Sequence, residues 1–357
     1  MKRPYLVNFS AISSESTISI RSSVTDSYTP IIEKRFRKKN NATTPMQSIG
    51  LISADDYRLR IIGYNQDQEQ IYNKEFDSDS FGTFDIKIPR YIIEHEIKKI
   101  QIFETSYHYG LELLLGSFIP YIIHDDKKII ISDFDKTLVD TKYSSPRELY
   151  YSLNRPLSYF PSIQNSLNIF YKYTKTNFQP FILSASPHFY ENAIRDWLYQ
   201  NKIYAGNIFL KDYRNFFSLT QGILSPKDLK EQGFYKLNQL VNILLMTKMP
   251  KELVLMGDSF ESDEFVYLVL AAILLNKVGP WQIWKDIKSD HRFNFTTKQD
   301  FQFLTKFYQL GELVKGKEID LKIYIRCREN NIEEAKQKSY EYPLLNELKK
   351  HVEFYLA

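Results

Sequence analysis

Three short stretches and one lysine put carboxylates, hydroxyls and a cation where a phosphoryl group could be attacked. Asp133-Phe134-Asp135-Lys136-Thr137 directly follows the apolar segment Lys128 to Ser132, and Ser184-Ala185-Ser186 follows Pro180 to Leu183. Gly257-Asp258-Ser259, with Asp263 shortly after, follows Leu253 to Met256, and Lys236 lies at the start of a helical pattern before it. Phosphoryl transfer needs an in-line nucleophile, a cation against the phosphate oxygens and donors around them. Asp133 suits the nucleophile, because a carboxylate can attack phosphorus and form an aspartyl-phosphate. Asp135 could protonate the leaving oxygen and then activate water, while its main chain reaches the same cation. Asp133, Asp135 and Asp258 offer the hard oxygen ligands that Mg²⁺ prefers, with water and phosphate completing the shell. Ser184 can donate its hydroxyl to a phosphate oxygen, with Ala185 in the same phosphate-binding stretch. Lys236 can hold the nucleophile and offset charge as phosphate docks. Thr137 caps the turn that aims the two aspartates, and Gly257, Ser259 and Asp263 support the last turn. Each stretch alone is a weak signal, since Asp and Thr after a strand often form only a turn and a helix cap. Their recurrence in one order, each after an apolar strand or at a helix start, carries the reading.

Such groups must be held by a sheet whose strands end together. From Lys127 onward, short apolar strands alternate with amphipathic helices. Helices are expected over Ser162 to Tyr173, Tyr190 to Tyr199, Tyr235 to Met246 and Glu264 to Leu275, with strands at Pro180 to Leu183, Ile208 to Leu210 and Leu253 to Met256. That alternation specifies a parallel sheet with helices on both faces, and ligands bind beyond the carboxyl ends of such strands. The tail from Thr297 predicts a helix, a strand at Leu321 to Ile325 and a closing helix from Ile332 to Tyr355. Residues 1–125 read differently. Segments such as Thr17 to Arg21, Tyr57 to Ile62, Thr83 to Ile88, Lys99 to Phe103 and Leu111 to Ile122 recur between turn-formers, which suggests a small antiparallel sandwich. Ser10 to Ser27 is Ser/Thr-rich and is expected to fray at its start. Two domains follow, 1–125 and 126–357.

The chain has 357 residues, 43% hydrophobic and 25% charged, an ordinary balance for a folded soluble protein and wrong for disorder. A formal net charge of +4 is too small to call for a nucleic-acid partner. Cys327 is the only cysteine, so no intrachain disulfide forms, and six scattered histidines without HExxH argue against a zinc hydrolase. The N-terminus has no apolar stretch of secretory type. Phe265 to Leu275 is too short to span a bilayer and reads as a core helix. No transmembrane segment is expected, and the expected location is cytoplasmic. Cys327 reads as a buried strand residue.

ISDFDKT, ILSASPHFY and LVLMGDSFESDEFVY, with Lys236, resemble the four motifs of the haloacid-dehalogenase superfamily. More narrowly, they resemble the catalytic domain of actin-patch-protein-1 type phosphatidate phosphatases, whose stretches read like SDIDDT, SASPW and LIGDSGxxDPEIY. DSFGTFDIKIP and LLLGSFIPYII resemble the end of that family's preceding β-rich region, so the likeness covers residues 75–275. It implies an α/β Rossmannoid, haloacid-dehalogenase-like domain behind a β-sandwich-like N-terminal domain. It also implies a Mg²⁺-dependent phosphomonoester hydrolase, with phosphatidate, converted to diacylglycerol at a membrane surface, as the best single substrate. Lys136 stands where the family has Asp, His188 where it has Trp, and Phe260 where it has Gly. These changes leave the reacting groups intact and bear on substrate choice. His188 reads equally as a substrate contact or as a packing ring. The segment between Thr137 and Ser184 is too short for a large cap, which suits a bulky substrate. The run Lys34-Arg35-Phe36-Arg37-Lys38-Lys39 reads as a solvated loop or as a patch for an anionic membrane. Lys211, Asp212 and Arg214 read as a surface salt-bridge cluster or a phosphate site. The alternatives are another phosphomonoester, soluble or macromolecular, and a non-catalytic interaction module. Oligomeric state is not legible.

Overall fold

Period-two burial in the N-terminal third becomes two sheets. A computed structural model describes residues 2–28, 44–45, 55–93, 95–108, 111–141, 152–212, 232–293 and 295–356. Its first strands are β1 (Lys2–Ser13), β2 (Thr17–Tyr28), β3 (Arg58–Tyr64), β4 (Gln70–Asp77), β5 (Thr83–Pro89), β6 (Lys99–His108), β7 (Leu111–Phe118) and β8 (Tyr121–Ile122). One sheet runs β5–β2–β1–β8, the other β4–β3–β6–β7. Neighbours are antiparallel except β8, which joins β1 in parallel. Leu6, Ile18, Ile20 and Val24 of the first sheet share one core with Leu59, Ile61, Ile100 and Ile102 of the second, as inward-facing alternate residues of a sandwich do.

The expected fraying of Ser10 to Ser27 does not occur. Ser10, Ser19, Ser22 and Thr25 are buried, and Ser22 Oγ donates to Val7 O at 2.8 Å. A hydroxyl that bonds nearby backbone can enter a core at little cost. Strands β1 and β4 lie outside the expected segments. Strand β4, QIYNKEFD, is largely exposed and so offers no apolar alternation to read.

The rest of the chain forms β9 (Lys128–Ser132), α1 (Gln164–Thr174), β10 (Gln179–Pro187), α2 (Glu191–Gln200), β11 (Asn207–Lys211), α3 (Gly233–Thr247), β12 (Glu252–Asp258), α4 (Asp263–Leu274), α5 (Pro280–Ile287), α6 (Thr297–Val314), β13 (Asp320–Cys327), α7 (Ile332–Gln337), α8 (Pro343–Leu348) and β14 (Val352–Leu356). Compactness divides the chain into two units. One takes Met1–Ile123, Tyr150–Tyr159 and Pro187–Leu224; the other takes His124–Leu149, Phe160–Ser186 and Ser225–Ala357. The second unit holds parallel strands in the order β10–β9–β12–β13–β14. Every residue of α4 is buried, as a core helix requires. No helix among the described residues is long and apolar enough to cross a membrane.

The expected closing helix over Ile332 to Tyr355 is overturned. Proline at 343 lacks the N–H a continuing helix needs, so it starts α8 instead. Val352 to Leu356 then leaves the helical path and pairs in parallel with β13. Cys327 ends β13 in the core, where burial pushes its thiol up. The basic run 34–39 and Arg214 lie outside the described residues.

Candidate active site

Adjacent strands in parallel register bring the acidic turns together. Ser132 of β9 faces Met256 of β12, and Asp133 N donates to Met256 O at 2.8 Å. Asp133 and Asp258 therefore emerge side by side at the carboxyl ends of neighbouring strands. Past Asp135 the chain doubles back: Lys136 adopts φ 58°, Lys136 N donates to Val139 O at 2.7 Å and Leu138 N to Phe134 O at 2.9 Å. At the other turn, a Cβ on Gly257 would sit 2.6 Å from the Asp263 carboxylate oxygen Oδ2. Only glycine lets that side chain approach so closely. Helix α3 delivers Lys236 because Phe234, two residues earlier, is wedged among Trp284, Phe295 and Phe303.

The charges meet in a dry cluster. Lys236 Nζ lies 3.1 Å from Asp133 Oδ1 and 3.2 Å from Glu261 Oε2, and it also donates to Asp263 Oδ1. Thr137 Oγ1 donates to Asp133 Oδ2 at 3.1 Å, so the nucleophile candidate is held at both oxygens. Asp258 Oδ1 accepts from Phe260 N at 2.6 Å and Glu261 N at 3.0 Å, and Asp263 Oδ2 accepts from Asp258 N at 3.1 Å. Glu261 spans two ammonium groups, with Lys136 Nζ 3.0 Å from its Oε1. Burial pushes the Asp133 carboxyl well above its usual range against the pull of Lys236, and Asp263 and Glu261 add to the push. Asp258 is pushed up to about 8, by burial first and then by Glu261 and Asp263. For Glu261 burial pushes up, but Lys236 and Lys136 prevail and hold it low. Lys236 loses charge preference to burial and regains more from Asp133, Asp263 and Glu261, ending well above an ordinary lysine.

Four carboxylates (Asp133, Asp258, Glu261 and Asp263) thus face two ammonium groups (Lys136 and Lys236), a deficit that a divalent cation would fill. Oxygens of Asp133, Asp258 and Asp263 lie within 4.8 Å of one another and are buried. Asp258 Oδ2 is buried with no hydrogen-bond partner among the described residues. An orphaned carboxylate oxygen inside a group of carboxylates fits a hard cation. Asp263, expected only to support the turn, stands among these oxygens, whereas the Asp135 carboxylate is engaged elsewhere. Its Oδ1 accepts from Thr141 Oγ1 at 2.9 Å, and its Oδ2 accepts from Ser184 Oγ at 2.9 Å and Ser186 Oγ at 2.6 Å. The Ser184 hydroxyl therefore points at Asp135, and in turn accepts from Ser186 N at 2.9 Å.

Ala185 is buried in β10 beside Ser184, and Ser259 N donates to Arg326 O at 3.0 Å. His188 falls in the first unit, buried edge-on to Phe189 with Nδ1 3.7 Å from Asp212 Oδ1. Lys211, expected on the surface, is buried because every position of β11 is. Four residues to which sequence reasoning gave no role belong to the cluster: Thr141, Ser186, Glu261 and Arg326. Ser186 and Arg326 were within reach, each standing at the end of an expected strand. Thr141 and Glu261 carry no local signal, since only the folded turns bring them back.

Residues 128–279 match the family model described as phosphatidate phosphatase APP1, catalytic domain. Over these residues the chain is thus similar to the catalytic domain of a phosphatase family. Within that class, the resemblance to the APP1-type phosphatidate phosphatase catalytic domain holds over these residues. No curated protein matches the chain. Among solved structures, a calcium-binding mutant of Bacteroides uniformis beta-glucuronidase 2 is 12% identical with a TM-score of 0.27, covering 98% of this chain and 36% of its own. Apo b-glucuronidase from Ruminococcus gnavus is 9% identical with a TM-score of 0.26, over 96% of this chain and 46% of its own. This chain thus spans less than half the length of those structures.

Proposed function

We propose that the chain is a Mg²⁺-dependent phosphomonoester hydrolase with a Rossmannoid, haloacid-dehalogenase-like catalytic domain, and that phosphatidate is its substrate. The observation that carries this reading is the pairing of Asp133 with Lys236 at 3.1 Å in a buried carboxylate group, within a phosphatase-type segment. Asp133 and Asp258, with the main chain of Asp135, would hold the cation. When bound it would neutralise phosphate oxygens and lower the charge barrier to attack by an anion. Lys236 keeps Asp133 in place and offsets charge as the phosphate enters. Asp133 attacks phosphorus, forming the aspartyl-phosphate as the bond to the leaving oxygen breaks, and Asp135 supplies that oxygen's proton. Asp135 then takes a proton from the water that attacks the aspartyl-phosphate, releasing inorganic phosphate and restoring Asp133. In this scheme the hydroxyls of Thr141, Ser184 and Ser186 aim Asp135.

The test is phosphate release from a short-chain phosphatidate with and without Mg²⁺, with Asp133→Asn as control. Release that needs both supports mechanism and substrate, with Asp133→Asn expected to lose about 10⁴-fold or more. Turnover of an aryl phosphate but not of phosphatidate keeps the mechanism and removes the lipid assignment. Silence on both, with Mg²⁺ still bound, points to a narrow substrate or a binding role.

A further inference from the structure

The two acidic turns share a residue that lies beyond the segment matching the phosphatase family. Arg326, next to last in β13, is in register with Asp258 of β12, and it touches both turns in different ways. Its main-chain oxygen accepts from Ser259 N at 3.0 Å, holding the turn that carries Asp258. Its side chain reaches the other turn, with Nη1 donating to Lys136 O at 2.7 Å and to Asp140 Oδ1 at 3.3 Å. Lys136 is the residue in the left-handed region, where a non-glycine backbone sits only if its surroundings hold it. Arg326 is 4% exposed, and its Nε has no hydrogen-bond partner among the described residues. The ring of Phe260 stands against the guanidinium at 5.5 Å, closing its other side.

We propose that Arg326 is a positioning residue that locks the Asp133–Asp135 turn against the Asp258 turn. It acts through the Lys136 carbonyl and touches neither phosphate nor cation. A planar guanidinium, fixed by its own strand and by Phe260, sets the direction of that carbonyl and so the path of the chain leaving Asp135. A small rotation of the turn would move Asp135 off its three hydroxyls and Asp133 off Lys236, and misplacement on that scale costs far more in turnover than in substrate binding. The inference adds to the phosphatase reading for kinetics, while its structural half stands without it.

Arg326→Gln keeps the main-chain contact to Ser259 and removes the side-chain clasp. Amide hydrogen exchange in peptides spanning 130–141 should then rise roughly tenfold or more, with exchange in α4 unchanged. On a substrate that the wild type turns over, kcat should fall roughly tenfold to a hundredfold with KM within about twofold. Arg326→Lys, which can still donate to the Lys136 carbonyl, should recover most of both. Arg328→Gln, at an exposed arginine that also stands over the Phe260 ring, should change neither. Unchanged exchange in 130–141, exchange rising equally across the unit, or a loss confined to KM would each overturn the proposal. If wild type and Asp133→Asn are equally inert, the phosphatase reading fails, and the exchange measurement alone decides the role of Arg326.

Discussion

Lys136 Nζ lies 3.0 Å from Glu261 Oε1, joining the turn beside Asp133 to the turn beside Asp258. Lys136 is one of the positions where this chain departs from the sequences it resembles. A free ammonium there would compete with Lys236 for Asp133. Glu261 takes that charge up, and with its other oxygen it holds Lys236. The departure at 136 is thereby matched by a carboxylate at 261, and Asp133 stays paired with Lys236.

Breaking that bridge should be most costly while Lys136 is present. Glu261→Gln leaves two largely buried ammonium groups with one carboxylate fewer and should destabilise the protein by about 1–3 kcal/mol. Lys136→Met should cost less, and the double variant should recover part of the loss, which urea unfolding of all four proteins would measure as a coupling. Strict additivity would show that the two residues do not interact.

Gly257→Ala should injure activity more than stability. Its new methyl would press on the Asp263 carboxylate, which holds Asp258 N and receives Lys236. Since the added group is small, the free energy of unfolding should drop by only about 1–3 kcal/mol. Turnover, which depends on the placement of Asp133 through Lys236, should fall roughly a hundredfold. Turnover at the wild-type level would mean that Asp263 can move without disturbing the lysine.

Asp258→Asn should invert the response to cations. In chelator, removing the buried Asp258 carboxylate from a mutually repelling group of four should make the variant more stable than the wild type. On adding Mg²⁺ at about a hundredfold excess over its dissociation constant, the wild type should gain about 2.7 kcal/mol and the variant far less. Thermal unfolding with and without Mg²⁺ reads both arms. An equal gain in the two proteins would place the cation away from Asp258.

The order of the chemistry was written locally. A short apolar run such as Lys128 to Ser132, followed by alternating helices and strands, reads as an inner strand, and the carboxylates that follow then lie at its carboxyl end. The positions of Asp133, Asp135, Ser184, Lys236 and Asp258 along strand ends and a helix start were therefore legible one by one, as was the sandwich-like character of the first 125 residues. What the tertiary structure decided is which of these groups face each other. Asp263 joined the carboxylates because Gly257 admits it, and Ser184 turned to Asp135 because three hydroxyls converge there. Glu261 and Arg326 acquired their partners across 125 and 190 residues of chain. The tail became strand β14 because the edge of β13 offered hydrogen bonds that a proline-interrupted helix could not supply. Local pattern reports propensity and burial, whereas pairing between distant side chains depends on strand order and register, which no short window of sequence contains.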